Sequence, residues 1–175
     1  RFPGKPLALI NGVPLILRVL QNAERFFSPE KVFVATDDER IMDLVVSNGH
    51  NALMTPEECL TGTDRVAEAA KILGSEGVIN IQGDEPLIKY EHMQMIERAA
   101  KASPHVTHNC YTKISSEEER LNINVPKVVI SEAEQLLYAS RLPIPGYKNQ
   151  INRNSGYKQV CIYYFPSAHL RHFGL

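Results

Sequence analysis

Apolar positions in this chain follow two periods, and the places where one gives way to the other mark its elements. Val32-Phe33-Val34-Ala35 and Val78-Ile79, with Ile81, are short apolar runs broken by glycine, proline and acid, as in strands buried on both faces. Around them apolar residues recur at helical spacing. Leu15, Ile16, Val19, Leu20 and Ala23 form one stripe, and Ile41, Leu44 and Val45 a second, closed by Gly49. Val66, Ala70 and Leu73 form a third, closed by Gly74, and Met93, Ile96 and Ala100 a fourth, in a helix expected over 90–101. Strands and helices in alternation predict an α/β fold with a mostly parallel central sheet flanked by helices.

The second half reads differently. Val125 to Ser131 is a strand with Val128 and Ile130 on one face, and Leu136 to Ala139 is its antiparallel partner across a polar turn. Lys158 to Phe165 is rich in β-formers and reads as a late strand. Ser116-Glu117-Glu118-Glu119 has the form of a capping box for a short acidic helix. Ser140 to Pro145 leaves its strand as a proline-stiffened arm, and 146–156 reads as a polar, mobile loop.

Composition narrows the class. The 175 residues suit one domain, and a net charge of −1 gives no reason to expect a nucleic acid or a membrane surface as partner. No apolar run approaches the roughly 20 residues that span a bilayer. Cys59, Cys110 and Cys161 are odd in number and scattered, which argues for reduced thiols and a cytoplasmic address. His105, His108 and Cys110 do not share one strand face, so no metal is assigned to them. The chain begins at Arg1 rather than Met and shows no clear stop signal before Leu175, so truncation at both ends is expected.

Three stretches carry candidate chemistry. Gln82-Gly83-Asp84-Glu85-Pro86 leaves two carboxylates at the carboxyl end of a strand, where open α/β sheets bind ligands. Mg²⁺ takes oxygen ligands, often one or two carboxylates plus substrate phosphates. The stretch therefore reads as a metal–phosphate site, or else as a solvated acidic turn. Arg1-Phe2-Pro3-Gly4-Lys5-Pro6-Leu7 places two cations around a glycine, which suits a polyphosphate or an ordinary basic loop. Thr61-Gly62-Thr63-Asp64-Arg65 opens a helix whose N–H groups suit an anion, with Thr61 or Thr63 as its cap. Asp37 and Asp38 end the first apolar run; Asp38 caps the next helix, and Asp37 is either a ligand or a second capping, solvating acid.

Read together, R-F-P-G-K-P-L (1–7), T-G-T-D-R-V-A-E (61–68), I-Q-G-D-E-P-L-I (81–88), N-I-N-V-P-K-V-V (122–129) and Y-A-S-R-L-P-I-P (138–145) resemble the 3-deoxy-manno-octulosonate (Kdo) cytidylyltransferases in order and spacing, over 1–165. The resemblance implies a Rossmann-like nucleotidyltransferase fold with a small antiparallel subregion for sugar binding and dimerisation. It implies a single domain over 1–175, with 1–105 serving the nucleotide and 106–165 the sugar and the dimer contact. It also implies a reaction, CTP plus Kdo giving CMP-Kdo and pyrophosphate for lipopolysaccharide biosynthesis, by a cytoplasmic homodimer using Mg²⁺. Carried over by motif, Arg1 and Lys5 hold the triphosphate, and Gly62, Thr63 and Arg65 lie beside the nucleotide. Gln82 faces the substrates, Asp84 binds the metal, and Lys127, Ser140, Arg141, Gln159 and Tyr163 line the sugar side. Lys5, Gln82 and Asp84 form the catalytic set.

This chain departs from the family pattern in three places. Family members have a first strand and an I-P-A-R-like segment before R-x-P-G-K, and that strand would lie beside 32–35 and 78–82. They also continue through a V-D-T-P-E-D-like segment that supplies a second metal ligand. Gln159, Cys161 and Tyr163 stand where many members carry His-x-Gly-x-Tyr. The readings kept beside the first are a cytidylyltransferase for 8-amino-Kdo or an acylneuraminate, and a non-catalytic nucleotide-binding module. Residues 1–175 by themselves are expected to be inactive.

Overall fold

In the computed structural model, which describes residues 4–146 and 156–172, the chain divides into two compact units. One comprises 1–108 with 162–175, the other 109–161.

In the first unit the elements run β1 (Leu9–Ile10), β2 (Val13–Pro14), α1 (Leu15–Glu24), β3 (Phe33–Thr36), α2 (Glu39–Ser47), β4 (Asn51–Met54), α3 (Gly62–Leu73), β5 (Gly77–Ile81) and α4 (Tyr90–Ala102). The helices form where the apolar spacing places them. Ile16, Leu17 and Leu20 of α1 pack with Ile41 and Val45 of α2. Met93, Ile96 and Ala100 form the buried stripe of α4. Local capping chemistry sets the boundaries. Asp38 accepts from Arg40 N to start α2, and Thr61 with Asp64 completes a reciprocal capping box on α3. Gly74 then ends α3 in the left-handed region, at φ 61°.

β3 and β4 pair in parallel, Phe33 against Asn51 through Thr36 against Met54. β4 is not predicted by the apolar pattern, because Asn51-Ala52-Leu53-Met54 contains neither a β-branched residue nor an alternation. β5 departs from the expected parallel neighbourhood. Its partner is the second half of β9 (Tyr157–Pro166), antiparallel, with Gly77 opposite Pro166 and Ile81 opposite Ile162. Gly77 is required there, since a Cβ built on it would lie 2.5 Å from Tyr164 Oη, which itself donates to Pro104 O. The chain then enters α6 (Ser167–Leu170), where Leu170 joins Ala67, Ala70 and Phe165 in a second core cluster.

Among the described residues β3 and β5 do not pair with each other. An apolar cavity of about 770 Å³ is lined by both strands, by Ile16 and Leu20 of α1 and by Val66 and Ala70 of α3. It lies between the two runs that the family resemblance sets on either side of an additional strand. Asn80 lines it too, 9% exposed, and its Nδ2 finds no hydrogen-bond acceptor among the described residues.

The second unit holds β6 (His108–Lys113, its first residue belonging to the other unit), α5 (Glu117–Leu121), β7 (Lys127–Ile130), β8 (Leu136–Ser140) and the first half of β9. β7 pairs antiparallel with β8, as expected, with a bulge between Val129 and Ile130, and also with β9. Ser116 caps α5, but the Glu119 carboxylate reaches back to Ser115 N and Oγ instead of closing a box on Ser116. It also takes the ammonium of Lys158. That ion pair and the Ser115 bonds hold Glu119 down to a pKa of about 2. Most of the expected loop, 147–155, lies outside the described residues.

Candidate active site

The strongest constellation lies at the carboxyl end of β5. After Ile81 the chain turns tightly, Glu85 N donating to Gln82 O, and Asn22 of α1 ties the turn down by donating from Nδ2 to Pro86 O at 2.7 Å. Gly83 lies so close to α1 that a Cβ on it would lie 3.1 Å from Ile16 Cδ1. This anchored turn presents Asp84, whose Oδ2 is 2.7 Å from Lys5 Nζ. Lys5 begins a single 3-10 turn, Lys5–Leu7, that follows Gly4 at φ 68°. The two side chains are 49% and 45% exposed. An exposed ion pair contributes about 0–1 kcal/mol, so stability gives little reason for an ammonium and a carboxylate to meet across 79 positions of sequence.

The start of α3 closes on the same end of the sheet. A Cβ built on Gly62 would lie 3.5 Å from Gln82 Nε2, so the first helical residue faces the Gln82 amide. Thr61, not Thr63, is the cap: it takes Asp64 N–H. Helices leave their first N–H groups without intrahelical partners, and those of Gly62 and Thr63 are in the same turn. Arg65 lies one residue beyond that cap contact. Its guanidinium donates from Nη2 to Asp37 Oδ2 at 2.6 Å and from Nη1 to Thr55 Oγ1 at 2.5 Å. Since Arg65 meets the end of β3 and Gly62 the end of β5, both strands point their carboxyl ends at the start of α3. Six of the sequence-predicted residues lie around this end of the sheet: Lys5, Gly62, Thr63, Arg65, Gln82 and Asp84. Arg1 lies outside the described residues.

Tyr163 is in the same unit, on β9. It stands opposite Asn80, stacks on Phe165 with centroids 5.6 Å apart, and packs against the Ala67–Ala70–Leu170 cluster.

The remaining predicted residues lie in the second unit. Lys127 is fully buried, and its Nζ donates to Asn122 O at 2.5 Å and Arg141 O at 3.0 Å. Burial lowers its pKa, and the nearby Arg120 and Arg141 lower it further. Ser140 stands opposite Lys127 in the β7–β8 register and caps the turn by accepting from Leu142 N. Arg141 donates from Nη1 to Ile123 O. Gln159 donates from Nε2 to Asn109 Oδ1. Among the described residues no group of three or more His, Cys, Asp or Glu could hold a metal ion.

Sequence reasoning missed Asn22 and Thr55 and left Asp37 between two roles. Asp37 carried a usable signal as an acid at a strand's carboxyl end; Asn22 and Thr55 carried none, because their partners are 64 and 10 positions away.

A family model described as cytidylyltransferase matches residues 1–174. The chain is 38% identical over 186 residues to a 3-deoxy-manno-octulosonate cytidylyltransferase of Thermodesulfovibrio yellowstonii, covering 99% of this chain and 73% of that protein. It is 41% identical over 149 residues to one of Syntrophobacter fumaroxidans, covering 83% of this chain and 60% of that protein. The chain thus spans between 60% and 73% of the length of these two relatives. Among solved structures, CMP:2-keto-3-deoxy-manno-octonic acid synthetase complexed with CTP superposes with a TM-score of 0.87 at 32% identity, over 99% of this chain and 71% of that one. The fold is therefore the α/β nucleotidyltransferase fold expected from the sequence, and the chain belongs to the 3-deoxy-manno-octulosonate cytidylyltransferase family.

Proposed function

We propose that the protein transfers a cytidylyl group from CTP to Kdo, releasing pyrophosphate. The observation that carries this reading is the Lys5–Asp84 pair held at the carboxyl end of β5, beside the opening turn of α3. Relatives named for this substrate and a similar synthetase solved with CTP support it.

In this reading Lys5, with Arg1, neutralises the triphosphate. The N–H groups of Gly62 and Thr63 and the guanidinium of Arg65 lie beside the nucleotide, and Gln82 orients the two substrates. The anomeric hydroxyl of the sugar acid attacks the α-phosphorus. A new O–P bond forms as the bond to pyrophosphate breaks, and the hydroxyl's proton passes to solvent water. Aligning two reactants and screening phosphate charge suffices without a protein nucleophile. Asp84 fits as a ligand for Mg²⁺, being a half-exposed carboxylate at a strand end whose described partner is one ammonium. When bound, the metal supplies charge neutralisation on the phosphate oxygens.

Ser140, Arg141, Gln159 and Tyr163 are assigned to the sugar acid on the motif match, with the Arg141 guanidinium suited to its carboxylate. Lys127, its Nζ held by two carbonyls, positions Arg141 through the backbone. Cys59, Cys110 and Cys161 are thiols rather than disulfides, which supports a cytoplasmic address. Among the described residues no helix is long and apolar enough to cross a membrane.

The proposed partner is a second copy of the chain. Leu136, Leu137 and Tyr138 on β8 and Leu142 beyond it are 53–67% exposed. A two-fold homodimer across β8 and the 142–145 arm would cover them. A monomer mass by light scattering at micromolar concentration contradicts this.

Incubation with CTP, Kdo and Mg²⁺, followed for pyrophosphate and CMP-Kdo, tests the function. A non-catalytic nucleotide-binding module would take up CTP and release no pyrophosphate.

A further inference from the structure

We infer that Asp37 and Thr55 are positioning residues that fix the Arg65 guanidinium for the nucleotide. The inference rests on the functional reading above and extends it to two residues outside the motifs.

Arginine is long and flexible, and a guanidinium that must meet a phosphate or base at a set angle gains from being held beforehand. Here the holding is built from three elements. Asp37 follows the last residue of β3, Thr55 follows the last residue of β4, and Arg65 lies in the first turn of α3. Thr55 is itself fixed: its N–H and its hydroxyl both donate to Thr36 O, at 2.9 and 3.1 Å. Its oxygen is thereby left to accept from Arg65 Nη1. Thr36 and Thr55 are 4% and 6% exposed, so this anchor does not compete with water. Asp37 adds a charge-assisted bond on the other terminal nitrogen. The Arg65 side chain is only 18% exposed. A guanidinium has five N–H donors; these two contacts use two and leave the others for a ligand. Asp38 has a separate role at the cap of α2, so adjacent acids serve different ends.

The test is CTP affinity by titration calorimetry, with KM for CTP and kcat in parallel, in the natural protein. Asp37→Asn should weaken CTP binding by roughly tenfold, because it removes one partner of a part-buried charge pair. Asp37→Glu should restore part of the loss. The decisive arm combines Asp37→Asn with Arg65→Lys. If Asp37 acts through Arg65, the double variant binds CTP no worse than Arg65→Lys alone. Losses that multiply in the double variant overturn the inference, as does an Asp37→Asn protein that binds CTP like wild type. A wild-type protein that does not bind CTP overturns the functional reading, and this inference with it.

Discussion

Asn in place of Asp84 is expected to remove nearly all Mg²⁺-dependent turnover in the natural protein while leaving the fold unchanged. The substitution keeps shape and removes charge. Asp84 is held by a turn tied through Asn22 and Gly83, not by its own side chain, so the turn survives the change. Losing the charge stabilisation of a metal at the phosphates costs several kcal/mol, and each 1.36 kcal/mol is tenfold in rate. A variant that keeps more than about a tenth of the wild-type rate rules out Asp84 as a ligand, since one tenfold step corresponds to 1.36 kcal/mol. Lys5→Ala removes the opposite charge and should raise the KM for CTP, slow turnover, or both, again with the melting temperature little changed, since exposed pairs contribute so little.

The second large effect concerns stability. The polypeptide of residues 1–175, expressed alone, is expected to melt early or without cooperativity and to show no turnover. The reason is the apolar cavity between β3 and β5. With about 3.3 Å of rise, 4.8 Å between strands and 10 Å between layers, a strand takes up roughly 160 Å³ per residue. The cavity's volume of about 770 Å³ therefore corresponds to about five strand residues. Leaving about four apolar side chains' worth of burial unmade forfeits roughly 6–12 kcal/mol. Whole-domain stability is about 5–15 kcal/mol, so the deficit is comparable with the total. The facing edges of β3 and β5 also invite edge-to-edge association. Circular dichroism melts of this polypeptide check the point. A single cooperative transition above about 60 °C, in the upper range of ordinary domains, with measurable turnover would show that the cavity is tolerated.

The sequence was most informative where the physics is local. Apolar residues at helical spacing placed α1, α2, α3 and α4, and the caps at Asp38, Thr61 and Ser116 lie where short-range hydrogen bonding puts them. What depends on distant partners was not legible. The Val78–Ile81 run is equally apolar beside a parallel or an antiparallel neighbour, so its pairing with Ile162–Pro166 had no local signature. Lys127 was set on the sugar side by the motif match alone, and nothing local in the sequence signals its burial, with Nζ held by the Asn122 and Arg141 carbonyls. Asp37 could be narrowed to two roles from sequence, and took a third, because Arg65 approaches it from 28 positions away. The motifs indicated which residues gather, but not what holds each one.

The most direct test of the account is the reaction itself. The natural protein should be incubated with CTP and Mg²⁺, with and without Kdo, and followed for pyrophosphate. The account predicts Kdo-dependent pyrophosphate release with equal CMP-Kdo formed, and greatly reduced release when 8-amino-Kdo or an acylneuraminate replaces Kdo. CTP binding without pyrophosphate release in the presence of Kdo would contradict it.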